Sequence, residues 1–251
     1  MTAVQGSDVD ITTEDGVADA YLAHPADGLP HPGVLFYQDA YGIRPHLKAM
    51  ADRLAGEGYT VLLPNVFYRS GRTPVFDLPE FIDPSADPTI WQQIMPVMSS
   101  LTPELSVRDS GAYLDWMAGN PLVADGPVAI TGYCLGARLA VRTAAAFPDR
   151  IAAAGGFHGG QLVTEDAESP HLLADRITAE LYFGFADQDQ SMTEEQIRTF
   201  ERALTAAGVR NTCEVYPGAG HGYTQADTPA YSAEAAERHW DALLGLLKRT
   251  F

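Results

Sequence analysis

The chain has 251 residues, 46% of them hydrophobic and 10% aromatic, with 33 acidic against 16 basic side chains and a formal charge of −17. That is apolar enough to bury a core as a single domain over residues 1–251 and too apolar for a disordered polymer, while the negative field repels phosphate backbones and anionic headgroups and so excludes nucleic acid and membrane partners. Two cysteines, Cys134 and Cys213, exclude a disulfide framework and a four-thiolate metal site, and with no basic start leading into an apolar run and no bilayer-length apolar stretch the expected location is cytoplasmic.

Short β-rich runs alternate with longer segments of helical period, the pattern of an α/β fold in which a largely parallel sheet is covered by helices on both faces. Residues 9–13 and 17–23, joined around Asp15-Gly16, predict an opening antiparallel hairpin. A buried strand follows at 33–37, a helix at 47–58 closing on glycine, and a second buried strand at 59–63 stopped by Pro64. Between 65 and 101 the periodicity breaks down, with prolines at 74, 79, 84, 88 and 96 among Phe76, Phe81, Trp91, Met95 and Met98. A stretch this long is expected either to pack its own aromatics as a surface excursion or to serve as a lid over a pocket. Beyond it the expected elements are a helix at 104–117, a strand at 128–131, a helix at 135–146 closed by Pro148, strands at 151–155 and 181–185, a helix at 193–207 capped by Thr193, a strand at 212–216 and a last helix at 230–247.

Chemistry begins at Gly132-Tyr133-Cys134-Leu135-Gly136, a G-x-C-x-G run between an apolar strand and a helical segment. This is the nucleophile-elbow pattern with cysteine in place of serine: small flanking residues permit a sharp strand-to-helix turn that lifts the nucleophile above the sheet. Backbone N–H groups opening the helix favour a thiolate, and that of Leu135 can hold an oxyanion. The competing reading is a buried structural cysteine beside glycines.

An elbow of this kind needs an acid after a later strand and then a histidine. Asp187 stands just past the apolar run Leu181-Tyr182-Phe183-Gly184-Phe185, with Asp189 as a rival two residues on, and His221 lies in the glycine-rich Tyr216-Pro217-Gly218-Ala219-Gly220-His221-Gly222. The expected triad is therefore Cys134, His221 and Asp187, with His158 as the alternative base because it too follows a strand. No H-E-x-x-H, paired-cysteine or phosphate-loop run is present, so neither a metal nor a nucleotide cofactor is expected.

These segments resemble the dienelactone hydrolases, a family of α/β-hydrolase fold, over nearly the whole chain. The resemblance rests on the elbow, the strand-end aspartate, Ala219-Gly220-His221, Gln38-Asp39-Ala40-Tyr41-Gly42 and Pro64-Asn65-Val66-Phe67-Tyr68-Arg69. It implies that Ala40 supplies a second oxyanion N–H, that Asp39 stands where the family usually places a glutamate beside the thiol, and that Arg69 stands where it holds a substrate carboxylate. Two departures accompany it: Asp39 is one methylene shorter than that glutamate, and Gln225 occupies the position of a second carboxylate-binding arginine.

A thiolate attacks readily but also leaves readily, so activated esters and lactones are the expected small-molecule substrates rather than peptides. The expected assembly is a monomer or weak homodimer. A binding or redox-sensing protein on the same scaffold, or a general carboxylesterase or thioesterase, is the alternative.

Overall fold

The structure, a computed structural model, describes residues 2–251 and divides into two compact units, one ending at Val128 and the other running from Ala129 to Phe251. The first unit holds strands β1 (Val4–Thr13), β2 (Gly16–Pro25), β3 (Gly33–Tyr37) and β4 (Thr60–Pro64) in the order β1-β2-β4-β3. β1 and β2 form the expected hairpin, antiparallel from Val4 opposite Pro25 to Thr13 opposite Gly16. It is longer than predicted because most of β1 is solvent-facing and is held by backbone pairing with β2 rather than by an apolar face. β3 and β4 are parallel and buried at every position, which is why both read as continuous apolar runs.

Three helices complete this unit: α1 (Pro45–Gly56), α2 (Thr89–Ser100) and α3 (Pro103–Ala118). α1 and α3 each start on a proline, whose fixed φ suits the first helical position. α2 lies within the stretch that lacks sequence periodicity, and the reason is visible. Pro88 precedes it, Pro96 interrupts it, and it buries only Ile90 and Ile94, leaving Trp91 and Met95 in solvent.

The second unit orders its strands β5-β6-β7-β8, with β5 at Val128–Tyr133, β6 at Ile151–Phe157, β7 at Glu180–Gln188 and β8 at Asn211–Gly220. β6, β7 and β8 run parallel. Helices α4 (Leu135–Ala146), α5 (Glu194–Ala206) and α6 (Ala233–Thr250) and a 3-10 helix at Pro170–Arg176 connect and cover them. Thr193 and Gln196 close a reciprocal capping box on α5. Phe183 meets Phe200 edge-on at 4.9 Å, and α6 buries Trp240, Leu243, Leu246 and Leu247. β7 and β8 both outrun their apolar segments, to Gln188 and Gly220. Among the described residues no helix is long and apolar enough to cross a membrane.

Candidate active site

Cys134 sits at the junction of β5 and α4 with φ 53° and ψ −111°, a backbone conformation that costs a non-glycine residue about 1–3 kcal/mol. The surroundings hold it there. Its N–H donates to the Phe157 carbonyl at 3.0 Å, tying the bend to the end of β6. A Cβ on Gly132 would lie 2.1 Å from the Gly136 carbonyl oxygen, so only glycine lets the chain fold back so tightly. The sulfur thus stands at the carboxyl end of the strand, where the first-turn N–H of Leu135 has no acceptor within the helix.

The candidate base and the carboxylate beside it come from the two neighbouring strand ends. β7 and β8 are in register with Gln188 opposite Gly220, so the next residues, Asp189 and His221, emerge side by side. Asp189 Oδ2 lies 2.6 Å from His221 Nδ1. The other carboxylate oxygen accepts from the Ser191 N–H at 2.8 Å and its hydroxyl at 2.6 Å. Burial would raise the Asp189 pKa, but the His221 and Ser191 bonds outweigh it and hold the carboxyl below its ordinary value. The Cys134 sulfur lies within interaction range of the His221 ring. Burial pulls the imidazole down, yet its interactions with the Cys134 sulfur and the Asp189 carboxylate push it up to about 10.

This geometry corrects two expectations. Asp187 does not reach His221. It lies within β7, where the register with β8 breaks between Ala186 and Gln188, and its Oδ2 accepts from the Gly218 N–H at 2.8 Å. Asp187 repairs an irregular ladder, and the rival Asp189, the first residue past the true strand end, meets the imidazole. Nor is Arg69 free to grip a substrate. Its guanidinium forms a two-pronged pair with Asp109 at 2.7 and 2.8 Å, and its Nε donates to Asp15 at 2.7 Å.

Asp39 is fully buried in a two-pronged pair with Arg44 at 2.8 and 2.9 Å and also accepts from the Tyr41 N–H. Arg44 had no signal in the sequence as its partner. Ala40 lies buried in the same turn of the first unit. His158, the alternative base, is buried with Nε2 2.8 Å from Thr224 Oγ1 and its ring edge-on to that of His221. Gln225 is buried too. Burial, with Glu201 nearby, pushes the Cys213 thiol up to about 12, which leaves it unreactive.

Residues 18–251 match the dienelactone hydrolase family. A relative from Methylorubrum extorquens named "Putative carboxymethylenebutenolidase" is 31% identical over 242 residues, 94% of this chain and 78% of its own. "Carboxymethylenebutenolidase 1" of Cupriavidus pinatubonensis is 26% identical over 244 residues, 96% of this chain and 97% of its own. In fold the chain resembles a solved "Putative Dienelactone Hydrolase" from Klebsiella pneumoniae, with a TM-score of 0.84 at 24% identity and 98% of each chain covered. With an α/β fold and a match over nearly its full length, the chain belongs to the dienelactone hydrolase family and is a hydrolase.

Proposed function

We propose that this hydrolase cleaves small activated esters or lactones through an acyl-cysteine intermediate, with Cys134 as nucleophile, His221 as acid and base, and Asp189 as the carboxylate that orients the ring. The observation that carries this reading is Asp189 Oδ2 at 2.6 Å from His221 Nδ1, with the Cys134 sulfur within interaction range of the same imidazole. Since Asp189 occupies Nδ1, Nε2 is left to face the sulfur.

The reacting pair in this reading is a Cys134 thiolate beside a protonated His221, whose charge the sulfur and the Asp189 carboxylate both favour. The thiolate attacks the acyl carbonyl, and the oxygen that becomes negative lies at the Leu135 N–H. As the tetrahedral intermediate collapses, the bond to the leaving oxygen breaks and His221 gives that oxygen its proton. Acylation removes the negative sulfur that had held the imidazolium, so the ring becomes a better base for the second half-reaction. It takes a proton from water, the hydroxide attacks the thioester, and the sulfur leaves as thiolate. Because that thiolate competes as a leaving group in the first step, substrates must release a stabilised anion, as enol lactones and aryl esters do.

The test is turnover of p-nitrophenyl acetate and an enol lactone, with mass-spectrometric trapping of the acyl group. Sustained turnover, acyl mass on Cys134 and loss of both in Cys134→Ala are expected. A single burst without turnover, or activity surviving that substitution, would overturn the reading.

A further inference from the structure

Arg138 stands four residues after Cys134 on α4, on the face that the nucleophile opens. Helical side chains lean toward the N-terminus, which carries its guanidinium back over the elbow, within electrostatic reach of the sulfur. Its one side-chain hydrogen bond is to a neutral group, Gln161 Oε1 at 2.6 Å. Arg198, Arg210, Arg238 and Arg249 of the same unit each meet a glutamate. In a chain with twice as many acids as bases, this arginine beside the thiol has none.

The guanidinium is held in place without being neutralised. Gln161 has φ 56°, and its N–H donates to the Ser191 carbonyl at 3.0 Å, in the loop that also positions Asp189. Nearby, a Cβ on Gly159 would come within 2.6 Å of the Ala137 Cβ, so the segment after β6 is pressed onto the first turn of α4. Electrostatically the position is unfavourable to a cation. It faces the positive end of the helix, burial presses its charge toward neutrality with only partial relief from the sulfur, and no carboxylate compensates. An anion arriving in front of the sulfur relieves all three costs.

We infer that Arg138, held by Gln161, is a specificity-determining residue that binds a carboxylate or similar acidic substituent of the substrate beside the Cys134 sulfur. The inference rests on the reading of Cys134 as nucleophile, but its test does not need turnover. Iodoacetate and iodoacetamide alkylate thiols by the same displacement of iodide and differ in charge. Their rates at Cys134, mapped by mass spectrometry, should show an iodoacetate-to-iodoacetamide ratio above that of free cysteine by about tenfold, the scale of one charge-assisted hydrogen bond. Arg138→Gln should lose that excess, Arg138→Lys should keep much of it, and Arg142→Gln, whose arginine donates to the Glu168 carbonyl one turn on, should keep all of it.

With esters, the kcat/KM of an acyl chain ending in a carboxylate, relative to its neutral analogue, should fall about tenfold in Arg138→Gln, mainly through KM. An alkylation ratio unchanged in Arg138→Gln overturns the inference, and so do two rates that fall in parallel, since the arginine would then act on the thiol itself. Absence of turnover with the alkylation bias intact would sink the hydrolytic reading and leave the anion subsite standing.

Discussion

Two clusters near strand ends, one in each unit, both contain aspartate and arginine and come to opposite ends. In the first, Arg69 closes on Asp109 and Asp15, and Arg44 closes on Asp39, so each guanidinium is answered by carboxylate. In the second, Ser191 bonds Asp189, Asp189 bonds His221, and His221 lies within interaction range of a sulfur held on a strained bend, with Arg138 nearby and no acid to meet it. In the first cluster every guanidinium is paired with a carboxylate, which favours a structural role. The second ends on groups with valence to spare, and that open end rather than the residue types is what makes a site.

The contrast breaks at once if the sulfur is dispensable. Cys134→Ala should lower kcat/KM on p-nitrophenyl acetate by at least about 10⁴-fold, the scale of removing a covalent nucleophile. His221→Ala should be as severe. Next in size is the pair of neighbouring aspartates: Asp189→Asn should cost about 10²–10⁴-fold in kcat because it unsettles the tautomer and charge of the ring. Asp187→Asn, which touches only the Gly218 N–H, should stay within about threefold. Steady-state kinetics on the two variants decide between the carboxylates, and equal losses would erase the distinction drawn here.

Much of this site was legible in the residues, and the part that was not has a physical cause. The helix after the elbow runs over Leu135–Ala146 as its apolar spacing predicts, and the bend at Cys134 follows from a glycine whose Cβ could not fit. The carboxylate that meets His221 lies two residues beyond the expected Asp187 because the apolar run of β7 stops before its hydrogen bonding does, the last pairing of Gln188 with Gly220 being carried across a bulge by polar residues. In the same way His221 was expected on a flexible glycine loop, whereas β8 extends to Gly220 and presents it from a strand end. Arg69 and Asp109 lie 40 positions apart, and no local pattern announces such a pairing. α2 was hidden by its own prolines and its two-residue buried stripe.

The closed cluster should answer to mutation in stability rather than rate. Removing Arg69 strands Asp109, whose side chain is 3% exposed, as a buried charge without its partner. Arg69→Met should therefore cost about 3 kcal/mol by denaturant titration, with kcat/KM on a neutral ester within about threefold. A stable variant with failed catalysis would return Arg69 to the site.

The smallest effect is a shift in pH dependence, and it separates the open cluster from a merely structural histidine. The His221 pKa is raised in the folded protein from 6.5 to about 10. The stabilisation from its charged form is therefore complete below about pH 6.5 and fades as pH rises toward 10, and the acid needed by the leaving group is lost over the alkaline end of the same window. Wild-type kcat/KM should fall as pH approaches 10, and the unfolding midpoint should decline from pH 7 upward more steeply than in His221→Gln. In Asp189→Asn one of the two negative neighbours is gone, so the alkaline limb of the rate profile should move to lower pH. The direction is fixed by the sign of the missing charge: a limb that stays in place would mean that Asp189 does not act on the imidazole's proton, and a limb that moves upward would place some other group on Nδ1.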